Sequence, residues 1–185
     1  MCEQIQNRLQ AHLAGNGLDA IVCLSPENFA YVSGFVVPSQ PLMRWRHAAA
    51  VVTAKGDPAY LCVDMEESTV RSKINGAKYR VWGEFSDSAM QVLADLLVDI
   101  GLGKARIGIE MDFLCAGDFA ELQRCLPNAR FTAAEKDLAR LRQIKTPGEI
   151  DLMRRLSRLA DESIASALAG VRPGDTEMDI ASGLT

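Results

Sequence analysis

The residues best suited to chemistry in this 185-residue sequence lie in one short stretch, where Arg44, Trp45, Arg46 and His47 follow one another behind Pro38 and Pro41. A guanidinium presents a planar fork of donors that matches a carboxylate two bonds at a time, and an indole offers a flat face for stacking. The prolines stiffen the approach by fixing their own φ. A rigid, cationic, aromatic surface of this kind is built to grip a carboxylate. The same cluster also fits a surface or dimer-contact loop whose arginines meet local acids, since exposed charge pairs are common and weak.

Other chemistries have less support. Asp19, Asp64, Glu110 and Asp112 flank apolar runs, and a two-metal nuclease needs carboxylates that converge at strand ends. Asp19, however, precedes its run while Asp64 and Glu110 end theirs, and a net charge of −4 leaves no basic stripe for a polynucleotide. No G-x-S-x-G occurs, and His12 and His47 have no recognisable partner spacing, so a serine or cysteine hydrolase is not indicated. His12 sits beside Leu9 and Leu13 as a partly buried surface histidine. Five cysteines (Cys2, Cys23, Cys62, Cys115, Cys125) form no C-x-x-C pair and no zinc pattern. Glu66 and Glu67 read as acids in the first turn of a helix.

The elements that must hold these residues follow from hydrophobic periodicity. Ile5, Leu9 and Leu13 mark a first helix closed by Gly15 and Gly17, and Leu18 to Leu24 is a run short enough for a buried strand. Ser25-Pro26-Glu27-Asn28 then caps a short helix through Phe29 and Val32. Two strands, Ala48 to Ala54 and Ala59 to Val63, are joined by Lys55-Gly56-Asp57-Pro58, whose composition is that of a turn. Further helices are expected over Met65–Ile74 (stopped by Asn75-Gly76), Asp87–Ile100 and Phe113–Leu126, alternating with strands at Lys78–Trp82, Arg106–Glu110 and Ala129–Ala133. Such alternation predicts an α/β layer structure, and the hairpin makes its sheet mixed. With 48% hydrophobic and 24% charged residues, a chain of this length can bury a proper core without staples. The first residues lack a basic stretch followed by an apolar one, and no apolar run is long enough to span a bilayer. A reducing cytoplasm, with no membrane and no nucleic acid as partner, is the expectation.

The last third reads as a junction. Leu138, Leu141 and Ile144 recur at helical spacing. Thr146-Pro147-Gly148-Glu149 then starts a helix in which threonine caps, proline takes the first helical position and glutamate reaches back. Ile150, Met153, Leu156, Ala160, Ile164 and Leu168 line one face for about five turns. Gly170 ends the run, Pro173-Gly174 turns the chain, and Thr176-x-x-Asp179 opens another helix over Ile180, Ala181 and Leu184. That face should stay partly exposed, or be covered by a neighbour, with further sequence expected after Thr185.

Two of these stretches carry a family resemblance. Gly17 to Phe35 (Gly-Leu-Asp-Ala-Ile-Val-Cys-Leu-Ser-Pro-Glu-Asn-Phe-Ala-Tyr-Val-Ser-Gly-Phe) resembles the start of creatinase/prolidase N-terminal domains. Leu141-Arg-Gln-Ile-Lys-Thr-Pro-Gly-Glu-Ile150, with Met153-Arg154 and Arg172-Pro-Gly-Asp-Thr-Glu177, resembles the entry to the "pita-bread" catalytic domain of the same enzymes, which include aminopeptidase P, prolidase and creatinase. The resemblance implies a ribonuclease-H-like three-layer α/β domain with a six-stranded mixed sheet over residues 1–144. Residues 145–185 would be a linker helix and the first residues of the catalytic domain. In that family the catalytic domain holds two divalent metals (Mn, Co or Zn) on two Asp, one His and two Glu, all beyond the position of Glu177. The chain alone is therefore expected to bind no catalytic metal and to hydrolyse nothing. Its implied partners are its own catalytic domain, a second subunit in a homodimer, and a small peptide or small amide substrate. The similar enzymes lend residues of this domain to the active site of the neighbouring subunit, which makes Arg44, Trp45, Arg46 and His47 substrate contacts in trans. The loop matches no family motif, so the resemblance does not choose between Arg44 and Arg46. A freestanding α/β interaction or small-ligand-binding module is the alternative.

Overall fold

The computed structural model describes residues 3–74 and 76–183, so expectations that fall on Cys2, Asn75, Leu184 and Thr185 lie outside the described residues. The chain divides into two compact units, Met1–Gln143 and Ile144–Thr185.

In the first unit the short apolar runs become strands because each is bounded by a turn or a capped helix. The strands are β1 (Ala20–Cys23), β2 (Ala49–Thr53), β3 (Ala59–Val63), β4 (Tyr79–Trp82), β5 (Arg106–Ile109) and β6 (Arg130–Ala133). They form one sheet in the order β4-β3-β2-β1-β5-β6. β2 pairs antiparallel with both β1 and β3, while β1/β5, β3/β4 and β5/β6 are parallel, so β2 alone runs against the rest. The helices are α1 (Glu3–Asn16), α2 (Pro26–Ser33), α3 (Glu67–Lys73), α4 (Ala89–Asp99), α5 (Ala116–Cys125) and α6 (Glu135–Gln143). The expected α/β fold with a six-stranded mixed sheet is present.

Alternation along the strands feeds two cores, one per face of the sheet. Ala20, Val22, Val51, Leu61, Ile107 and Ile109 join Met90, Leu93 and Leu97 of α4 and Leu122 of α5. On the opposite face, Ile21, Cys23, Val52, Tyr60 and Cys62 pack with Leu9 and Leu13 of α1, Phe29 and Val32 of α2, Val70 of α3 and Leu138 of α6. Gly108 of β5 sits close under this second layer, where a Cβ would stand 3.0 Å from the Ala134 methyl. Burial raises the thiol pKa of Cys62 to about 12 and that of Cys23 well above the ordinary range, which leaves both as small inert hydrophobes.

Two expectations are corrected, for α5 and Ile144, and the reading of Glu66 and Glu67 as first-turn acids is extended. α5 starts at Ala116, because residues 111–114 form a turn closed by Leu114 N–H to Glu110 O and Cys115 is the extended cap. Glu66 ends a short 3₁₀ turn (Asp64–Glu66) and is buried, its carboxylate accepting the Ser39 N–H at 2.9 Å. Ile144 does not extend the α6 stripe, since that helix stops at Gln143 and Ile144 is 72% exposed.

The second unit contains α7 (Pro147–Ala169) and α8 (Glu177–Ser182). Both begin with the reciprocal cap written in the sequence. Thr146 Oγ1 accepts the Glu149 N–H while Glu149 accepts the Thr146 N–H at 2.7 Å, and Thr176 and Asp179 do the same. Gly174, at φ +101°, makes the turn between them, and no residue of α7 is buried.

Candidate functional site

The topology singles out one end of the sheet. α2 follows β1 onto one face and α5 follows β5 onto the other, so the chain departs in opposite directions from two adjacent parallel strands. A crevice at the carboxyl ends of such strands is where open α/β sheets receive ligands.

Glu110 is the residue after β5, at the carboxyl ends of those two strands. Its carboxylate is 2% exposed and accepts the N–H groups of Leu24 (2.5 Å) and Ser25 (2.9 Å) and the Asn28 side-chain amide (2.5 Å). A charge buried so deeply is tolerable because three donors solvate it and the amino end of α2 faces it. Ser25 Oγ accepts the Asn28 N–H, and Pro26 occupies the first turn, as the sequence predicts. Glu110 thus locks β5 to the start of α2.

Gln40 anchors the loop that carries the cationic cluster. Its Nε2 donates to Leu24 O at 2.6 Å and to Ala48 O at 3.2 Å, which fixes the orientation of the amide. Oε1 is left buried without a donor among the described residues. The loop then disperses the four predicted residues. Arg46 pairs with Glu84 at 2.8 Å, both side chains being largely buried. His47 is buried, with Nε2 at 3.0 Å from Asp118 Oδ2 and its carbonyl accepting the Trp82 indole N–H at 2.9 Å. Burial pushes the imidazole below its ordinary pKa more strongly than Asp118 raises it, and the Arg44 charge adds to the lowering. The neutral ring therefore donates from Nε2, and Nδ1 is an acceptor with no partner among the described residues. Trp45 is 64% exposed.

Arg44 is the member that faces an open site. One guanidinium nitrogen donates to Phe113 O at 2.6 Å, and the guanidinium carbon lies 5.4 Å from the centre of the Phe113 ring. Among the described residues no carboxylate lies within 4.0 Å of it. It lines a groove of about 660 Å³ together with Pro26, Glu27 and Ala30 of α2, Asp112 and Phe113 after β5, and Val36, Gln40 and Pro41 of the loop. Structure thus separates the two arginines: Arg46 meets a local acid, and Arg44 does not.

The sequence flagged Arg44 but not its surroundings. Asp112 drew notice only as a flanking acid, and nothing local marked Gln40 or Phe113, because the groove joins segments about 70 residues apart (Arg44 and Phe113). No three His, Cys, Asp or Glu side chains among the described residues are placed to hold a metal ion. The dinuclear centre implied by resemblance therefore does not fit this chain's described side chains, and no step through a metal is derived for it.

What these features define is an α/β domain with a mixed sheet and a groove at the chain's switch point. Residues 6–144 match the model of the creatinase/prolidase N-terminal domain, and the chain belongs to that family. It is similar to creatinase from Bacillus sp. (strain B-0618), at 26% identity over 94% of this chain and 41% of that protein. It is also similar to ectoine hydrolase from Halomonas elongata, at 24% identity over 90% of this chain and 43% of that protein. The chain spans less than half the length of either. Among solved structures, X-Pro aminopeptidase from Thermotoga maritima shares the fold with a TM-score of 0.73 at 15% identity, covering 98% of this chain and 47% of that one. The corresponding domain of a dipeptidase from Streptococcus thermophilus matches 74% of this chain over 97% of its own length, with a TM-score of 0.61 at 17% identity.

Proposed function

We propose that this chain is the non-catalytic N-terminal domain of a cytoplasmic dinuclear-metal hydrolase of the Xaa-Pro peptidase and creatinase type. It pairs subunits, walls the substrate channel and offers Arg44 to a substrate carboxylate in the neighbouring subunit. Membership of the family supports the class of parent. The observation that carries the site reading is the arginine itself: Arg44 is exposed and held against Phe113, with no carboxylate within 4.0 Å among the described residues. Arg46 and His47 fit positioning roles instead, pinning the loop to Glu84 and Asp118. Trp45 remains exposed beside them, suited to stacking on a partner or substrate. The four described cysteines are free thiols, in keeping with a reducing compartment. No described helix is long and apolar enough to cross a membrane.

Reading the gene past codon 185 tests the proposal, followed by assaying Xaa-Pro dipeptide hydrolysis with manganese. The expected frame carries Asp, Asp, His, Glu and Glu in that order, and its product hydrolyses the dipeptide while the 185-residue chain does not. A stop codon at 186 would favour the freestanding ligand-binding module, a reading supported by the groove being walled by residues of the first unit alone. Metal-dependent hydrolysis by the 185-residue chain itself would overturn both.

A further inference from the structure

A separate pocket opens at the other end of the sheet. Thr53 pairs with Ala20 at the amino end of β1, so the turn from β2 to β3 lies there, away from the Arg44 groove. Helices α2 and α3 start after the carboxyl ends of β1 and β3 and run back to that turn. Their last residues, Ser33 and Lys73, line the pocket with Gln6, Asp57, Tyr60 and Ile74. Its volume of about 260 Å³ lies below the roughly 300–1,000 Å³ of drug-sized sites, which suits a molecule of a few heavy atoms.

Tyr60 marks this pocket as more than a surface dimple. The residue is 3% exposed, and its ring centre lies 6.1 Å from that of Phe29 and 6.4 Å from that of Phe35. A phenol so deep ordinarily finds a hydrogen-bond partner. This hydroxyl has none among the described residues, yet it is not sealed in, and the pocket is what it meets. Burial, and then the nearby Asp57 carboxylate, push its pKa up to about 12, so at neutral pH it accepts as well as donates. Acceptors dominate the rest of the lining. Gln6 donates its Nε2 to Gly56 O at 3.0 Å, and its Oε1 has no donor among the described residues. The carbonyl ends of α2 and α3, which carry partial negative charge, border the pocket as well. Neither Asp57 nor Lys73 forms an ion pair among the described residues.

We infer that this pocket is a binding site for a small hydrophilic cation, a primary ammonium on a short chain. An ammonium brings three donors to a lining of acceptors and neutralises Asp57. An anion would meet Asp57 and two helix carbonyl ends, and a neutral alcohol would leave Asp57 uncompensated. Lys73 opposes the ligand only weakly, because its exposed side chain can turn to water. The inference does not depend on the role proposed for Arg44.

The test is an amide NMR titration of the 185-residue chain with propylammonium, propanol and propionate, three ligands of like size and different charge. Expected is a Kd on the order of 10 mM for propylammonium, with shifts centred on Tyr60, Ile74 and Ala77. Propanol should bind about threefold more weakly, and propionate at least about tenfold. Asp57→Asn, on an exposed turn, should weaken propylammonium about threefold, and Tyr60→Phe about fivefold. Lys73→Gln should strengthen it about twofold. Tyr60→Phe breaks no hydrogen bond of the empty pocket, so it should keep the wild-type melting temperature. A lower melting temperature there would mean that the hydroxyl is already partnered, and would overturn the inference. So would no saturable shift, shifts centred elsewhere, unchanged affinity in Asp57→Asn, or propionate binding as tightly as propylammonium.

Discussion

Helices α4 and α7 have the same kind of sequence and opposite fates. Both carry an apolar stripe at helical spacing, and both start at a hydroxyl cap, Ser88 and Thr146. Leu93, Leu96 and Leu97 of α4 are fully buried against the sheet. Leu156, Leu159 and Leu168 of α7 are 58%, 61% and 59% exposed. Amphipathicity declares that a helix has a face to bury, and says nothing about what will cover it. α4 finds its cover in strands of its own unit. α7 has a capping box at its start and α8 beside its end, and buries none of its own residues, which is a weak basis for a helix of this length in water.

That contrast can be broken in graded steps. Leu93→Ala should cost about 2–5 kcal/mol in urea unfolding, because it empties a site in the centre of one core. If it cost no more than a surface change, the reading of α4 as a core element would fail. His47 should impose a pH dependence on the first unit. Its folded pKa is depressed below the ordinary 6.5, so the unfolded state binds the proton more readily. The contribution is therefore full above 6.5 and is lost as pH falls through the folded value. A melting temperature followed between neutral and mildly acidic pH should drop less in His47→Asn than in wild type, and identical slopes would contradict the assignment. Thr146→Ala should destabilise α7 by about 1 kcal/mol, seen as lost helical ellipticity with the melting of the first unit unchanged. Leu156→Ala should change stability least, within about 0.5 kcal/mol, since its side chain stands in solvent. A large loss there would mean that α7 already packs on something in the 185-residue chain.

The same physics explains what could be read in advance. Caps and turns are local, so Ser25-Pro26, Thr146-Pro147 and Thr176-x-x-Asp179 were legible to the residue, as was the hairpin at Lys55–Pro58. β1, β2 and β3 were legible because four or five consecutive apolar residues bounded by turns have few alternatives, whereas β4, β5 and β6, each carrying an arginine, were marked by their place between helices. The order of strands was not, since nothing in Ile107 or Ile109 says that β5 lies beside β1. Glu110 illustrates the limit. In sequence it is an acid that ends an apolar run, and only the parallel pairing of β1 and β5 brings it to the Leu24 and Ser25 N–H groups. The cationic cluster shows the same thing in reverse: four neighbours in sequence are sent to separate surroundings by Glu84, Asp118 and Phe113, each from a distant segment.

Arg44 and Arg46 therefore carry the central claim, one as a receptor and the other as a strut. The most direct measurement is kcat/KM for an Xaa-Pro dipeptide with Arg44→Ala and Arg46→Ala, each made in the longer hydrolase proposed as the parent of this domain. Arg44→Ala should raise KM at least about tenfold at unchanged melting temperature, whereas Arg46→Ala should lower the melting temperature and leave KM near wild type. An unchanged kcat/KM in Arg44→Ala, or a larger KM effect at Arg46, would contradict it.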